Sequence, residues 1–164
     1  MRRILFPLLG AALVGADQWT KAWTVRHLLP GQSAKLLPGV VELLYVRNDG
    51  AAWSVLSGQR WLLAGGTALI LAAVAAGLVR RVPRHPLGEL AGWLILSGGV
   101  GNLMDRLRLG YVVDMLHLVF WPSYPTFNAA DICIVTGAVL GALYYLFLHD
   151  RRPPYGHSDP SAGA

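Results

Sequence analysis

Cysteine and charged residues are both scarce in this chain, and each shortage excludes a class of protein. One of the 164 residues is a cysteine, Cys133, so neither a disulfide framework nor a cysteine-ligated metal site is available. Charged residues make up 14% of the sequence and hydrophobic residues 54%, whereas soluble domains average about 25% charged residues. We therefore expect a membrane protein that forms one polytopic domain.

Other absences remove further classes of function. The five histidines are scattered and form no H-E-x-x-H pattern, which disfavours a zinc peptidase. The formal net charge of +5 lies in short clusters at the ends of apolar runs rather than along one polar face, which argues against nucleic-acid binding. The sequence contains no internal repeat, and it indicates neither a metal nor a cofactor.

The chain has four long apolar segments, each near the roughly 20 residues that a helix needs to cross about 30 Å of hydrocarbon. We predict an all-α membrane protein in which one domain, residues 1–150, holds four transmembrane helices, at 4–25, 61–79, 87–104 and 132–148. The N-terminal residues are also similar to a cleavable signal peptide. Apolar character resumes beyond Asp17, however, and this favours a membrane span.

Basic clusters set the predicted orientation. They lie at residues 2–3, 80–84 and 151–152, so the positive-inside rule puts both termini and the short middle turn in the cytoplasm. The two connections 26–60 and 105–131 are then expected on the outer side of the membrane. Residues 151–164 have no apolar period and are predicted to form a disordered cytoplasmic tail.

Both outer connections contain strand-like sequence. Residues 40–46 form a β-branched and aromatic run that is followed by an Asn-Asp-Gly turn signal at 48–50, and residues 110–121 are similarly strand-like. We therefore predict a small β-structured element at the outer surface.

Polar residues collect at the outer ends of the spans and in the outer connections. An acidic group at such depth costs several kcal/mol unless it lines a cavity or has a partner, so a set of them on one side indicates a site. The set consists of Asp17, Lys21, Asn48, Asn102, Asp105, Arg106, Asp114, Asn128 and Asp131.

The spacing of these residues predicts local pairs. Asp17 and Lys21 are four apart on one helix face, and the simplest interpretation is a snorkelling interfacial ion pair. Asn102 and Arg106 likewise share a face. The guanidinium of Arg106 is suited to hold a substrate carbonyl or lipid phosphate, or to neutralise Asp105.

The stretch TFNAAD opens the fourth apolar segment. Asn128 and Asp131 have the spacing of a helix N-cap and its partner acid at the third helical position. Asp114 lies in an apolar, strand-like setting, where desolvation should raise its pKa. If the segment between them folds back so that Asp114 meets Asp131, the pair would share a proton and activate a water to attack a peptide carbonyl.

Three other classes of function remain open on these residues alone. A serine–lysine peptidase would use Lys21 with Ser33 or Ser54, but neither serine lies in a distinctive motif. A proton-coupled small membrane transporter would retain the outer acidic cluster, but would usually show midplane acids or repeats. A non-enzymatic membrane scaffold would need none of this cluster.

Five motifs in order give the chain a resemblance to a known family. DQWTK from Asp17, NDGAAWS from Asn48, GNLMDR from Gly101, VVD ending at Asp114 and FNAAD ending at Asp131 resemble those of lipoprotein signal peptidase, or signal peptidase II, an aspartic membrane peptidase family. The resemblance implies a multi-pass enzyme of the bacterial inner membrane with its active site on the periplasmic side. It implies cleavage of diacylglyceryl-modified prolipoproteins just before the lipidated cysteine, without a metal or cofactor.

The resemblance also assigns roles by motif position. It implies that Asp114 and Asp131 are the catalytic pair. It implies that the residues around the substrate and this pair are Asp17, Asn48, Asn102, Arg106 and Asn128. The structural candidates are Lys21, Asp105, Gly101 and Trp53, of which Trp53 stands where the family usually has phenylalanine. The expected surroundings are membrane lipids and the expected state is a monomer. The alternative function is the proton-coupled transporter.

Overall fold

Four helices and one three-stranded antiparallel sheet form the part of the chain described by this computed structural model, which covers residues 2–51, 53 and 55–148. The predicted tail 151–164 and Ser54 lie outside these residues. In chain order the elements are α1 Arg2–His27, β1 Ser33–Leu37, β2 Val41–Asn48, α2 Arg60–Val79, α3 Pro86–Arg108, β3 Val112–Leu118 and α4 Ala129–Phe147.

Each helix coincides with a predicted apolar segment; α1 and α2 lie within two residues of the predicted bounds, whereas α3 and α4 differ by three or four residues at one end. Helix α3 continues to Arg108, four residues beyond the predicted end, because its late polar residue Asp105 has partners inside the protein. Helix α4 begins at Ala129, three residues early, because a complete capping box closes its first turn.

Helix α3 is the centre of the bundle, and glycines allow its neighbours to approach. A methyl group at Gly101 would lie 2.5 Å from a carboxylate oxygen of Asp17 on α1, and one at Gly98 would collide with the carbonyl oxygen of Ala130 on α4. Gly10 lies beside Ser97 and Asp17 lies beside Gly101, so the chain runs in the same direction in α1 and α3. The polar end of α1 and the end of α3 therefore lie beside the start of α4.

The sheet has the order β1-β2-β3, and its last strand receives the chain segment that precedes α4. Phe127 N–H donates to Leu116 O at 3.0 Å, and Leu116 N–H donates to Phe127 O at 2.8 Å. Residues 117–127 therefore fold back onto β3, as the sequence argument required. Val46 of β2 is the register partner of Asp114, and Asn48 is the partner of Val112.

The distribution of polar and apolar side chains is inverted relative to a soluble protein. Large apolar side chains such as Leu69, Val79 and Leu146 are exposed along the helices, with 73%, 82% and 70% of their surface accessible. In the described chain, α2 and α4 are long and apolar enough to cross a membrane. The buried polar or charged residues are Asp17, Lys21, Thr24, Ser97, Asn102, Asp105, Asp114 and Asn128.

Candidate active site

A cavity of about 470 Å³ lies where α3, α4 and the sheet meet. It brings together five of the residues predicted to be catalytic or to surround the substrate, as well as Trp53, and its remaining wall is mainly apolar and aromatic, with Tyr124, Phe127, Ile134 and Val135 among the lining residues. Five elements, β2, α2, α3, β3 and α4, contribute to it, so residues that are far apart in the sequence become neighbours. The predicted residues in its wall are Asn48, Asn102, Arg106, Asp114 and Asp131.

Asp114 projects from β3 and is almost fully buried, with 2% of its surface accessible. Its carboxylate accepts hydrogen bonds from the side-chain amides of Asn48 at 2.9 Å and Asn128 at 2.7 Å. Burial raises the pKa of Asp114 to about 7, and the nearby charge of Asp131 acts in the same direction. The hydrogen bonds from the two side-chain amides oppose this rise in pKa, because they stabilise the ionised carboxylate.

Asp131 occupies the third position of α4 and has two functions there. Its backbone N–H donates to Asn128 Oδ1 at 2.9 Å, and its own Oδ2 accepts from Asn128 N–H at 3.1 Å, which confirms the predicted capping box. The other carboxylate oxygen accepts from Asn102 Nδ2 at 2.7 Å. Capping therefore orients Asp131 and still leaves its carboxylate at the cavity wall.

Asn128 is fully buried and connects the two aspartates. Its Nδ2 donates to Asp114 Oδ1, and the same group lies 3.1 Å from Asn102 Oδ1 and 3.3 Å from Val113 O. Because Asn102 in turn donates to Asp131, one chain of amides fixes the orientation of both carboxylates.

A second buried cluster supports this chain from the side of α1. Lys21 Nζ lies 2.9 Å from Asp17 Oδ2 and 3.0 Å from Asp105 Oδ2, and it donates to Asn102 Oδ1 at 2.9 Å. The predicted pairing of Asp17 with Lys21 is confirmed, but the snorkelling interfacial position is wrong, since 3% of Lys21 and 2% of Asp17 are accessible. The acceptors on α3 hold the ammonium inside the protein.

Each carboxylate of this cluster also holds a neighbouring element. Asp17 Oδ1 accepts the backbone N–H of Ala130 at 3.0 Å, so it stabilises the start of α4. Asp105 Oδ2 accepts the backbone N–H of Val113 at 3.2 Å, which attaches β3 to α3. Gln18, whose side-chain amide donates to Asp105 Oδ1 at 3.0 Å, was not among the predicted residues. The available signal was a neutral amide beside charges embedded in an apolar span.

Arg106 reaches across the cavity to the turn after β2. Its guanidinium donates to Gly50 O at 2.9 Å, and Asn48 Oδ1 accepts the N–H of Gly50 at 3.0 Å. Lys21, rather than Arg106, is the cation that pairs with Asp105. Arg106 therefore lines the cavity without forming an ion pair with Asp105.

The rim of the cavity is aromatic. Trp53 is 68% accessible, has a positive φ of 52° and meets Tyr124 edge to face, with 6.2 Å between ring centroids. Tyr124 also contacts Phe127 edge to face at 5.8 Å. Tyr124 was not among the predicted residues, although it lies in the run WPSYPTF, which joins aromatic residues to rigid prolines.

Comparison with known proteins agrees with this geometry. Residues 9–147 match the family described as Signal peptidase (SPase) II. The lipoprotein signal peptidase of Streptococcus agalactiae serotype Ia is 39% identical over 139 residues, which cover 85% of this chain and 90% of that protein. The lipoprotein signal peptidase of Streptococcus pyogenes serotype M6 is 40% identical over 140 residues, covering 85% and 91%.

Two solved structures titled as bacterial membrane enzymes studied by the in meso method are also similar. One has a TM-score of 0.85 and 28% identity and covers 92% of each chain, and the other has a TM-score of 0.80 and 28% identity and covers 87% of this chain and 93% of its own. These matches support a membrane peptidase and do not favour a transporter. The resemblance carried by the five motifs is confirmed, and the chain belongs to the signal peptidase II family.

Proposed function

We propose that this chain is an aspartic endopeptidase that removes the signal peptide from diacylglyceryl-modified prolipoproteins and cuts just before the lipidated cysteine. The observation that carries the proposal is the placement of Asp114 and Asp131, from a strand and a helix, in the wall of one cavity. The names of the relatives supply the substrate class.

The chemistry follows from a carboxyl pair that carries one proton. The ionised member takes a proton from a water molecule as the water oxygen bonds to the scissile carbonyl carbon. The neutral member gives its proton to the carbonyl oxygen. When the carbon–nitrogen bond breaks, the neutral member gives its proton to the leaving amine and the ionised member takes a proton from a hydroxyl of the gem-diol. The pair again carries one proton, and no covalent intermediate forms.

The supporting residues divide the remaining tasks. Asn48, Asn102 and Asn128 hold the carboxylates by the hydrogen bonds described above. Arg106 offers its remaining donors to a substrate carbonyl, because it lines the cavity and is held in place by Gly50 O. The apolar side chains of Ile134 and Val135 provide a surface for the signal-peptide helix.

We place this domain, residues 1–150, in the bacterial inner membrane as a monomer with four spans and both termini in the cytoplasm. The basic residues Arg2, Arg3 and Arg81 gather around one cavity, and the aspartates line another. The positive-inside rule puts the basic end in the cytoplasm. The catalytic cavity then opens on the periplasmic side. There it would meet the lipidated cysteine of the substrate near the membrane interface.

The test is cleavage of a lipid-modified prolipoprotein by purified protein in detergent or lipid. Asp114→Asn and Asp131→Asn should each fold and lose roughly 10²–10⁴-fold in kcat, the usual contribution of one acid–base group. Glu42→Gln, an acid-to-amide change on the same sheet but away from the cavity, is the control. Near wild-type turnover by either aspartate variant would show that the pair is wrongly assigned.

A further inference from the structure

A second cavity, of about 660 Å³, lies at the opposite end of the helices from the aspartates. Helix α3 forms its floor, and α1 and α2 form its walls. The walls meet the floor at glycine contacts: Gly10 of α1 approaches Trp93, and Gly92 of α3 approaches Leu78 of α2. The groove is therefore a fixed product of helix packing.

The lining of this groove has two chemically different zones. Phe6, Leu78 and Trp93 belong to its apolar zone, whereas the guanidiniums of Arg3 and Arg81 belong to its basic zone, together with Arg2. Glu89 is the acidic residue in the lining. Among the described residues, none of the three arginines forms an ion pair. The groove thus presents a net positive charge, from three arginines and one glutamate, beside an apolar surface.

The backbone at Arg81 supports a binding role for this side chain. Arg81 N–H donates to Leu78 O at 3.1 Å and Val82 N–H donates to Gly77 O at 2.9 Å, which is the Schellman ending of a helix. Glycine usually occupies the position of Arg81, because its φ of 57° is unfavourable for other residues. An arginine at this strained position lines the groove, as expected where a strained residue has a function.

We propose that the groove binds one anionic phospholipid of the cytoplasmic leaflet. The guanidiniums of Arg2, Arg3 and Arg81 hold the phosphate, and an acyl chain lies against Phe6, Leu78 and Trp93. Basic pockets between transmembrane helices on the cytoplasmic side are suited to anionic head groups. The proposal relies on the proposed topology, but not on the proposed chemistry.

Quenching of Trp93 fluorescence by lipids with brominated acyl chains tests the site. The full-length protein is reconstituted in phosphatidylcholine vesicles with a small fraction of brominated phosphatidylglycerol or brominated phosphatidylcholine. The signal of Trp93 is obtained by subtracting that of Trp93→Phe. We expect brominated phosphatidylglycerol to quench Trp93 at lower mole fraction, with the preference falling about fivefold for each guanidinium removed.

Matched variants separate a site from general surface charge. Arg3→Gln/Arg81→Gln should abolish most of the preference, whereas Arg80→Gln/Arg84→Gln, which removes two charges from the same end outside the lining, should retain it. Ala75→Phe, which fills the groove, should reduce quenching, and Ala76→Phe, outside the lining, should not. Equal quenching by both lipids, or equal losses in both arginine pairs, would overturn the proposal.

Prolipoprotein cleavage measured on the same samples keeps this proposal separate from the catalytic one. Asp114→Asn should lose cleavage and retain the lipid preference. A wild-type protein that cleaves the substrate but shows no preference for brominated phosphatidylglycerol would reject the lipid site alone. Retained preference in a wild-type protein that does not cleave would reject the catalytic proposal alone.

Discussion

Lys21 supplies the positive charge between two buried carboxylates, Asp17 and Asp105, and it also fixes Asn102. Its ammonium has three donors, and each of them has one of these acceptors within hydrogen-bond distance. Since the charged groups are almost inaccessible, removing one partner leaves a buried charge without compensation.

Lys21→Met should therefore destabilise the protein by about 3–5 kcal/mol, the usual effect of breaking a buried ion pair. The measurement is the unfolding midpoint in detergent, with Lys35→Met on exposed β1 as the control. Adding Asp105→Asn to Lys21→Met should recover part of the loss, because it removes one uncompensated charge. If the single and double variants were equally unstable, the charge explanation would fail.

The pKa of Asp114 predicts how the rate depends on pH. Because burial raises this pKa to about 7, we expect kcat/KM to fall as the pH rises through about 7, where the pair loses the proton that it needs. Asn48→Ala should move this alkaline limb to higher pH, since the Asn48 hydrogen bond lowers the pKa of Asp114. His117→Gln, a change on the same strand, should leave the limb unshifted. A limb that follows His117 instead of Asn48 would refute the assignment.

The same shift has a defined effect on folding. A carboxyl group whose pKa is higher in the folded state favours folding most below its unfolded pKa of about 4. That contribution is lost as the pH rises through about 7. The hydrogen bonds from Asn48 and Asn128, and the charge of Lys21, stabilise the ionised form of Asp114 and so reduce this loss.

At the scale of elements, the contact of α3 with α4 determines where Asp131 lies. Gly98 faces the carbonyl oxygen of Ala130 and the side chain of Ile134, so the two backbones approach closely at the start of α4. Any side chain at Gly98 would push this end of α4 away from Asn102 and thereby displace Asp131.

Gly98→Ala should reduce stability by about 1–3 kcal/mol and lower cleavage, because a backbone atom of α4 cannot yield easily. The control is Gly65→Ala on α2, where an added methyl group meets nothing within 4 Å. That change should be neutral or stabilising by up to about 1 kcal/mol, since alanine favours a helix interior. Thermal unfolding and turnover of both variants provide the comparison, and equal effects would exclude the packing argument.

Sequence patterns predicted the elements better than the contacts between them. Four apolar runs and the β-branched segments at β2 and β3 were visible, but β1, with the sequence SAKLL, is mostly exposed and is held by pairing with β2. The capping box was predictable because Asn128 and Asp131 interact within one turn. The buried position of Lys21 was not, because Asp105 and Asn102 lie on another helix, 84 and 81 residues away along the chain.

At the scale of the whole molecule, the exposed apolar flanks and the separation of the two cavities underlie the proposed orientation of the chain in the membrane. In the background Cys133→Ala, which removes the buried thiol, Ser57→Cys should react with a membrane-impermeant thiol reagent in intact spheroplasts. Val82→Cys, also at an exposed position, should react only after permeabilisation, because the proposed topology puts the basic turn in the cytoplasm. The opposite labelling pattern would reverse the proposed topology.

The hydrogen bond from Ala130 N–H to Asp17 joins residues 113 positions apart. During synthesis, Asp17 is made early, whereas Asp131 and its capping partner Asn128 are made at the start of the last helix. A nascent chain therefore contains Asp17, Lys21 and Asp114 before it contains Asp131. On the proposed mechanism, the chain is therefore inactive during most of its translation and insertion, and it can cleave a substrate only after α4 has packed against α1.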